Sequence, residues 1–328
     1  MHNHAISGKH PPIPIVAAPR HEGFVGDGYT PALPRTNPEA MRRLAALLLV
    51  LSTALTGFAA SAADAAIAPL KVMAFNVRLP TDADGDNRWQ ARKDILVDTI
   101  RDQRPVVFGT QELFAEQGDY IVRQLPEYAW FGVGRRGDAE GAGDEHMGVF
   151  YLRDELKVIE SGDFWLSDTP EVAGSITWGN LYPRMVTWAL FERIADGRRF
   201  YFFNTHLPYR DEDEPIRERG AALLLKRLSA LPAEVPVVVT GDFNTGPESR
   251  VHALLTADLA DAWERSTQRS GPEATFHAFS GKADRRIDWI LVRGFEVGPV
   301  STVTDHENGR YPSDHFPVVA ELRWTAMP

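Results

Sequence analysis

Side chains able to bind a cation or move a proton recur in this chain at one kind of place, where an apolar run gives way to turn residues. They are Asn76 after "VMAF", Glu112 after "VVFGTQ", His206 after "YFFNT", Asp242 and Asn244 in "TGDFNTGPES", Asp288 inside "RRIDWIL", and Asp314 with His315 in "PSDHFPV". The apolar runs read as buried strands, and open α/β sheets build their sites at the carboxyl ends of such strands. Each residue also has a plainer role. Asp242 and Asn244 can close an Asx turn; Asn76, Glu112 and Asp314 can cap or turn the following backbone; a lone His206 can be a hydrogen-bonded structural imidazole. Asp288 resists that treatment, because an acid inside an apolar strand costs on the order of several kcal/mol unless it is paired or hydrogen-bonded. It requires a partner.

The donor types narrow the chemistry. All are carboxylate, amide or imidazole groups, and the chain has no cysteine, which excludes a disulfide framework, a thiolate metal site and a cysteine nucleophile. No His-x-x-x-His spacing occurs, whereas zinc normally draws on histidines or cysteines close in sequence. A hard divalent ion prefers carboxylate and amide oxygen and needs few protein ligands beside a substrate phosphate, so Mg²⁺ is the expected ion, with Mn²⁺ or Ca²⁺ as substitutes. The formal net charge of -10 speaks against a protein that coats DNA or RNA through a basic surface, although a nuclease with a local basic patch fits.

The elements that must position these residues begin at Leu70. "LKVMAFNV" reads as a strand ending near Asn76, "RWQARKDILVDTIRDQRP" as an amphipathic helix closed by Pro105, and "PVVFGTQE" as a buried strand. A second helix is predicted over "QGDYIVRQLPEY". Strands follow in "AWFGVG", "HMGVFYLRDELKVIESGDFWLS", "MVTWALFERI" and "RRFYFFNTHL". A helix over 218–231 leads into the strand "VPVVV"; a helix near 249–256 and the strands "RIDWILVRG" and "FPVVAELRW" complete the chain. The stretches 134–148 and 210–215 read as surface loops, and loops 134–148 and 207–217 are expected to set specificity. The economical architecture is α/β, two sheets with helices outside, in one domain over 67–328.

The region before it is different. Residues 1–40 are rich in Pro and His without apolar periodicity, and are expected to be disordered or to precede the true start. From Met41 the sequence "MRRLAALLLVLSTALTGFAASAADA" has two arginines, an apolar run to Phe58 and small residues at 60–62, the pattern of a signal peptide over 41–62 cleaved after Ala62. The expected location is secreted or periplasmic, with no membrane span after cleavage; the alternative is an N-terminal anchor. Residues 1–62 hold five basic and three acidic residues, so the exported chain is more acidic still.

In this order "FNVR", "GTQE", "NTHL", "GDFN", "RIDWI" and "SDHFPV" resemble the endonuclease/exonuclease/phosphatase superfamily, which includes DNase I-like nucleases, deadenylases, neutral sphingomyelinases and inositol polyphosphate phosphatases. The likeness spans about 70–322, and six ordered motifs are far more specific than one. "WGNLYPRMVTW" also resembles the arginine-bearing strand of the deadenylase-like branch. His206 stands where abasic-site endonucleases carry a tyrosine, which points away from DNA repair. The resemblance implies a DNase I-like four-layer α/β sandwich, two mixed β-sheets packed face to face, and metal-dependent cleavage of phosphoester bonds.

Carried onto these positions, the resemblance implies that Glu112 and Asn76 hold Mg²⁺, with Asp314 near the same ion or a second one. Asp288 accepts the ring N–H of His315, which supplies the partner that an acid in a strand requires. His315 contacts the scissile phosphate or the attacking water, which Asp242 orients or deprotonates. Asn244 donates to a phosphate oxygen, His206 stabilises developing charge or protonates the leaving oxygen, and Arg184 clamps the phosphate with its bidentate fork. His146, His252, His277 and His306 have no motif support and read as surface or structural. The expected function is a secreted, monomeric phosphoesterase hydrolysing phosphodiester or phosphomonoester bonds in a small molecule, lipid head group or oligonucleotide. The alternatives are a nuclease specific for DNA or RNA, and a catalytically silent binding protein of the same fold.

Overall fold

Strand sequences of this protein alternate between two cores, and that alternation decides which side chains face the site. In the computed structural model, which describes residues 68–137 and 143–325, the strands β7 (Arg199–His206), β8 (Val237–Asp242) and β11 (Asp288–Arg293) lie side by side. Phe200, Phe202, Val238, Ile290 and Val292 point into one core, while Tyr201, Phe203, Val237, Val239, Trp289 and Leu291 point into another. Successive side chains of a strand face opposite sides, so the same parity sends His206, Asp242 and Asp288 toward the first core. The extension expected over 1–40 and the signal peptide expected over 41–62 lie outside the described residues.

The first core is the interface between two mixed sheets. Among the described residues, one sheet runs β10 (Arg269–Ser270), β12 (Phe295–Thr302), β13 (Val318–Trp324), β1 (Leu70–Asn76), β2 (Val107–Gln111), β4 (Val149–Leu152), β3 (Tyr128–Phe131). The other runs β5 (Leu156–Trp165), β6 (Met185–Arg193), β7, β8, β11, β9 (Ala260–Asp261). Pairs β1/β2 and β7/β8 are parallel and most others antiparallel. The helices α1 (Trp89–Gln103) and α2 (Ala115–Gln124) belong to the first sheet; α3 (Glu214–Leu228) and α4 (Arg250–Thr256) cover the second, burying Leu224, Leu228, Val251 and Leu255 in the second core. This is the expected DNase I-like sandwich. No helix among the described residues is long and apolar enough to cross a membrane.

A polar node fixes the two sheets against each other. Asn204 of β7 accepts from Gln111 Nε2 at 2.7 Å and from Thr240 Oγ1 at 3.1 Å, and donates to the carbonyls of Thr110 at 2.7 Å and Gly148 at 3.0 Å. The sheets approach so closely there that a Cβ on Gly109 would lie 2.2 Å from Thr240 Oγ1.

Several expectations need correction. The helix expected over 218–231 starts at Glu214, because Pro215 is tolerated in a first turn and Arg217 donates back to the carbonyls of Pro208 and Arg210. Strand β12 is additional; Gly298 and Pro299 interrupt its pattern at an irregularity between Val297 and Val300. The stretch 134–148 is not simply surface: Arg135, Asp144, Glu145 and His146 are buried, held by the Arg135–Glu145 pair at 2.6 Å and the Arg136–Asp144 pair at 3.3 Å. His252 and His277 are buried and structural, whereas His306 is exposed. His277 stacks on Phe316 and is pushed down to about 4 by burial, then by the His315 charge.

His252 belongs to a second acid cluster, with Asp261 and Glu264, that could suit a metal. A resident cation already fills it: Arg286 donates to Asp261 at 2.7 Å and to Glu264 at 2.9 Å, and His252 Nε2 meets Asp261 at 2.9 Å. Burial raises the Asp261 pKa, but the His252 hydrogen bond and Arg286 overcome it and hold the carboxyl below its usual range. A depressed pKa contributes stability above the unfolded value and loses it as pH falls through the folded one. Asp261→Asn is therefore expected to cost about 3–5 kcal/mol in urea denaturation at neutral pH, with the gap to wild type closing below about pH 4; a gap constant down to pH 2 argues against a charged Asp261. Asn204→Leu strands the donors of Gln111 and Thr240 in the core and is expected to lower stability by about 3 kcal/mol or more in the same assay.

Candidate active site

The register across the second sheet places three candidate side chains in one row. His206 pairs with Asp242 across β7/β8, and Asp242 with Asp288 across β8/β11. From the first sheet come Asn76 at the end of β1, Glu112 one residue beyond β2, and Asp314 and His315 on the approach to β13, where the Ser313 hydroxyl donates to the Asn76 carbonyl at 2.6 Å. Arg184 enters just before β6. All of these but Asn76 and Asp288 line one cavity of about 730 Å³, together with Asn244.

Asn76 joins the two halves. Its Nδ2 donates to Glu112 Oε1 at 3.1 Å and to Asp242 Oδ2 at 3.0 Å, so the amide bridges a carboxylate from each sheet. Its oxygen accepts the Arg78 N–H at 3.0 Å. The expected ligand role for Asn76 does not match this orientation, because an NH₂ group offers a cation no lone pair; here the amide spaces the carboxylates. Glu112 Oε2 also accepts the Leu79 N–H at 3.2 Å.

Asp288 has its partner. His315 Nδ1 meets Asp288 Oδ2 at 2.8 Å, and His315 Nε2 lies 3.8 Å from Asp242 Oδ2. Burial alone would depress His315, but the charge and hydrogen bond of Asp288, with Asp242 and Asp314 beyond, push it up to about 10. Asp242 is pushed up to about 7, first by burial and then by Asp288. The cluster Asp242, Asp288 and His315 could geometrically hold a metal, but the imidazolium fills it. His206 Nε2 lies 3.5 Å from Asp242; burial, then Arg184 and Arg135, hold its pKa well down, so it is a neutral imidazole. Asn244 closes an Asx turn by donating its N–H to Asp242 Oδ1 at 2.9 Å, and its Nδ2 donates to the Leu207 carbonyl at 3.0 Å.

The oxygen-rich corner suits a hard cation. Arg78, which sequence reasoning did not single out although it ends "FNVR", lies 3.7 Å from Glu112 and 3.8 Å from Asp314 while Asp84 holds it at 2.8 Å. A side-chain cation thus spans the two carboxylates expected near the ion, and their oxygens keep free lone pairs. The same cavity also has a cationic side chain to spare: Arg184 is buried, its pKa lowered by burial, and its Nη1 has no hydrogen-bond partner. Arg135 and Tyr182, also not singled out, flank it, with the Arg135 guanidinium 4.5 Å from the Tyr182 ring centre. An unpaired buried guanidinium N–H is costly, and a phosphate oxygen would satisfy it. Five lining residues, Arg78, Glu112, Asn244, Ala278 and Phe279, have left-handed backbone without being glycine, which is strain of the kind found at functional sites.

Comparison with known proteins agrees with this geometry. A solved endonuclease/exonuclease/phosphatase family protein from Bacteroides thetaiotaomicron is 31% identical, with a TM-score of 0.73 over 78% of this chain and 98% of that one. A mannosyl-6-phosphatase from the same organism is 31% identical, with a TM-score of 0.71 over 77% and 99%. Nocturnin from Mus musculus is 23% identical over 79% of this chain and 67% of its own length. Residues 73–315 match the family described as Endonuclease/Exonuclease/phosphatase family. With its two-sheet sandwich and a cavity built from both sheets, the chain belongs to the endonuclease/exonuclease/phosphatase family and carries its phosphoesterase fold.

Proposed function

We propose that this protein is a divalent-metal-dependent phosphoester hydrolase acting on a small phosphorylated molecule, with sugar phosphates the favoured class. One observation carries the reading: a single cavity gathers carboxylates from both sheets, the Asp288-held His315, and a buried Arg184 with an unpartnered N–H. The cavity volume of about 730 Å³ suits a small ligand. The acidic charge disfavours an extended nucleic-acid partner, and the likeness to a mannosyl-6-phosphatase supports the substrate class.

Glu112 and Asp314 would hold Mg²⁺, with Asn76 spacing Glu112 from Asp242. When bound, such an ion neutralises phosphoryl oxygens and makes the phosphorus easier to attack. The chain's own residues do the rest. Arg184 and the second N–H of Asn244 Nδ2 bind phosphate oxygens, fixing the ester in the cavity. Asp242 orients a water and receives its proton; His315, its Nδ1 tied to Asp288, presents Nε2–H to the phosphate. His206, as the neutral imidazole, stabilises the charge developing on the leaving oxygen through an N–H hydrogen bond, and the departing alkoxide takes its proton from solvent water. The sequence of 41–62 supports export, which N-terminal sequencing of the secreted chain would test against an uncleaved anchor.

The functional test is a substrate panel: mannose 6-phosphate, p-nitrophenyl phosphate, bis-p-nitrophenyl phosphate, sphingomyelin, RNA and supercoiled DNA, each with Mg²⁺ and with EDTA. Turnover of the sugar phosphate that EDTA abolishes is expected. Asp242→Asn and His315→Ala should each lower kcat by about 10²–10⁴-fold, and Arg184→Met should lower kcat/KM by about 10–100-fold. Faster turnover of RNA or DNA sinks the substrate class, and metal-dependent turnover of nothing on the panel favours the silent binding protein.

A further inference from the structure

Helix α1 contributes a buried cation that no motif marks. Arg92 is fully buried and, among the described residues, has no carboxylate within ion-pair distance. Its Nε donates to the Asn87 carbonyl at 3.0 Å, its Nη1 to Val77 at 2.7 Å and Pro312 at 2.9 Å, and its Nη2 to Arg78 at 2.7 Å and Leu79 at 3.4 Å. A guanidinium has five N–H donors, and all five are spent on main-chain carbonyls. Burial pushes its pKa down to about 10, with the rings of Trp89 and Phe279 centred 5.3 Å and 5.9 Å away.

The identity of those carbonyls gives the arrangement its meaning. Three are consecutive and follow directly on Asn76; the middle one, Arg78, has left-handed backbone and accepts a second bond from Gln117 Nε2 at 2.9 Å. The Leu79 N–H reaches Glu112, and the Arg78 side chain reaches Glu112 and Asp314. The Pro312 carbonyl belongs to the other segment, two residues before Asp314, whose Ser313 hydroxyl holds Asn76. One planar group therefore ties the segment at 77–79 to the segment at Pro312, itself 220 positions from Arg92 in sequence, both on the carboxylate side of the cavity. An ammonium could keep the charge but not this fork.

We propose that Arg92 is the positioning residue of the cation-binding wall: by fixing the main chain at 77–79 and at 312 it sets the spacing of Glu112 and Asp314 without touching ion or substrate. This rests on reading the cavity as a metal-dependent phosphoesterase site. The test is titration calorimetry of the full chain with Mn²⁺ alone, beside thermal unfolding, for wild type, Arg92→Lys and Arg193→Lys. Arg193 is a second buried arginine, at the end of β6, bonded to the Ala68 carbonyl and Asp196. Arg92→Lys is expected to weaken Mn²⁺ binding by about 10–100-fold, as loss of a group supporting metal ligands does, while Arg193→Lys lowers the melting temperature but leaves Mn²⁺ binding unchanged. Affinity within about threefold of wild type in Arg92→Lys, well below that range, overturns the proposal. Should Arg92→Lys fail to fold, Gln117→Met removes the other bond to the Arg78 carbonyl, and unchanged Mn²⁺ affinity there overturns it equally. A wild type that binds no Mn²⁺ overturns the metal reading and this proposal together; one that binds Mn²⁺ but hydrolyses nothing sinks only the hydrolase reading.

Discussion

The buried amide of Asn204 is the constraint on which the site depends, because it locks two sheets that hydrophobic packing alone would leave free to slide. Hydrophobic contact is non-directional, whereas the bonds from Asn204 to Gln111, Thr240, Thr110 and Gly148 fix a relative position. The candidate site residues follow within one pleat of that node. His206 is two positions beyond Asn204, Asp242 two beyond Thr240, and Glu112 one beyond Gln111. The Asn76 bridge between Glu112 and Asp242 can then keep hydrogen-bond length across the sheet interface.

On that frame the cavity concentrates buried charge of both signs. Glu112 and Asp314 meet Arg78 at 3.7 Å and 3.8 Å, and Asp242 meets the imidazolium of His315 at 3.8 Å, while Arg184 lines the same cavity. Taking such groups out of water costs several times what an exposed pair would, to order of magnitude. Left-handed backbone at Arg78, Glu112 and Asn244 adds to that cost, and the bonds of Arg92, Gln117 and Asp242 hold it in place. Stability is thus drawn from the two apolar cores and concentrated as preorganised charge at the ends of the strands.

Much of this was legible in the sequence. The apolar runs before Asn76, Glu112, His206 and Asp242 located the strand ends, the apolar setting of Asp288 called for a partner, and the family resemblance named His315 as that partner. What the sequence hid has physical reasons. A polar amide such as Asn76 looks like a ligand until its NH₂ is seen to face the carboxylates. Arg135 and Glu145 sit in a glycine-rich stretch whose composition reads as solvent-exposed, but pairing with each other lets them be buried. Arg92 occupies a charged position of an amphipathic helix, where a solvated role is the ordinary expectation, and only the converging carbonyls show otherwise. Strand β12 was masked by Gly298 and Pro299, which mark a bulge instead of ending the strand.

The strand order carries a temporal consequence. Strand β1 sits between β2 and β13, so the first sheet is closed by the last of the described strands, and Asp314 and His315 arrive with it. A ribosome releases the chain from its amino end, so a nascent polypeptide can form β1, β2 and the whole second sheet while the imidazole that Asp288 awaits is still unsynthesised. Completion of the cavity therefore waits on the segment that carries β13, because Asp288 has no imidazole partner until that segment emerges.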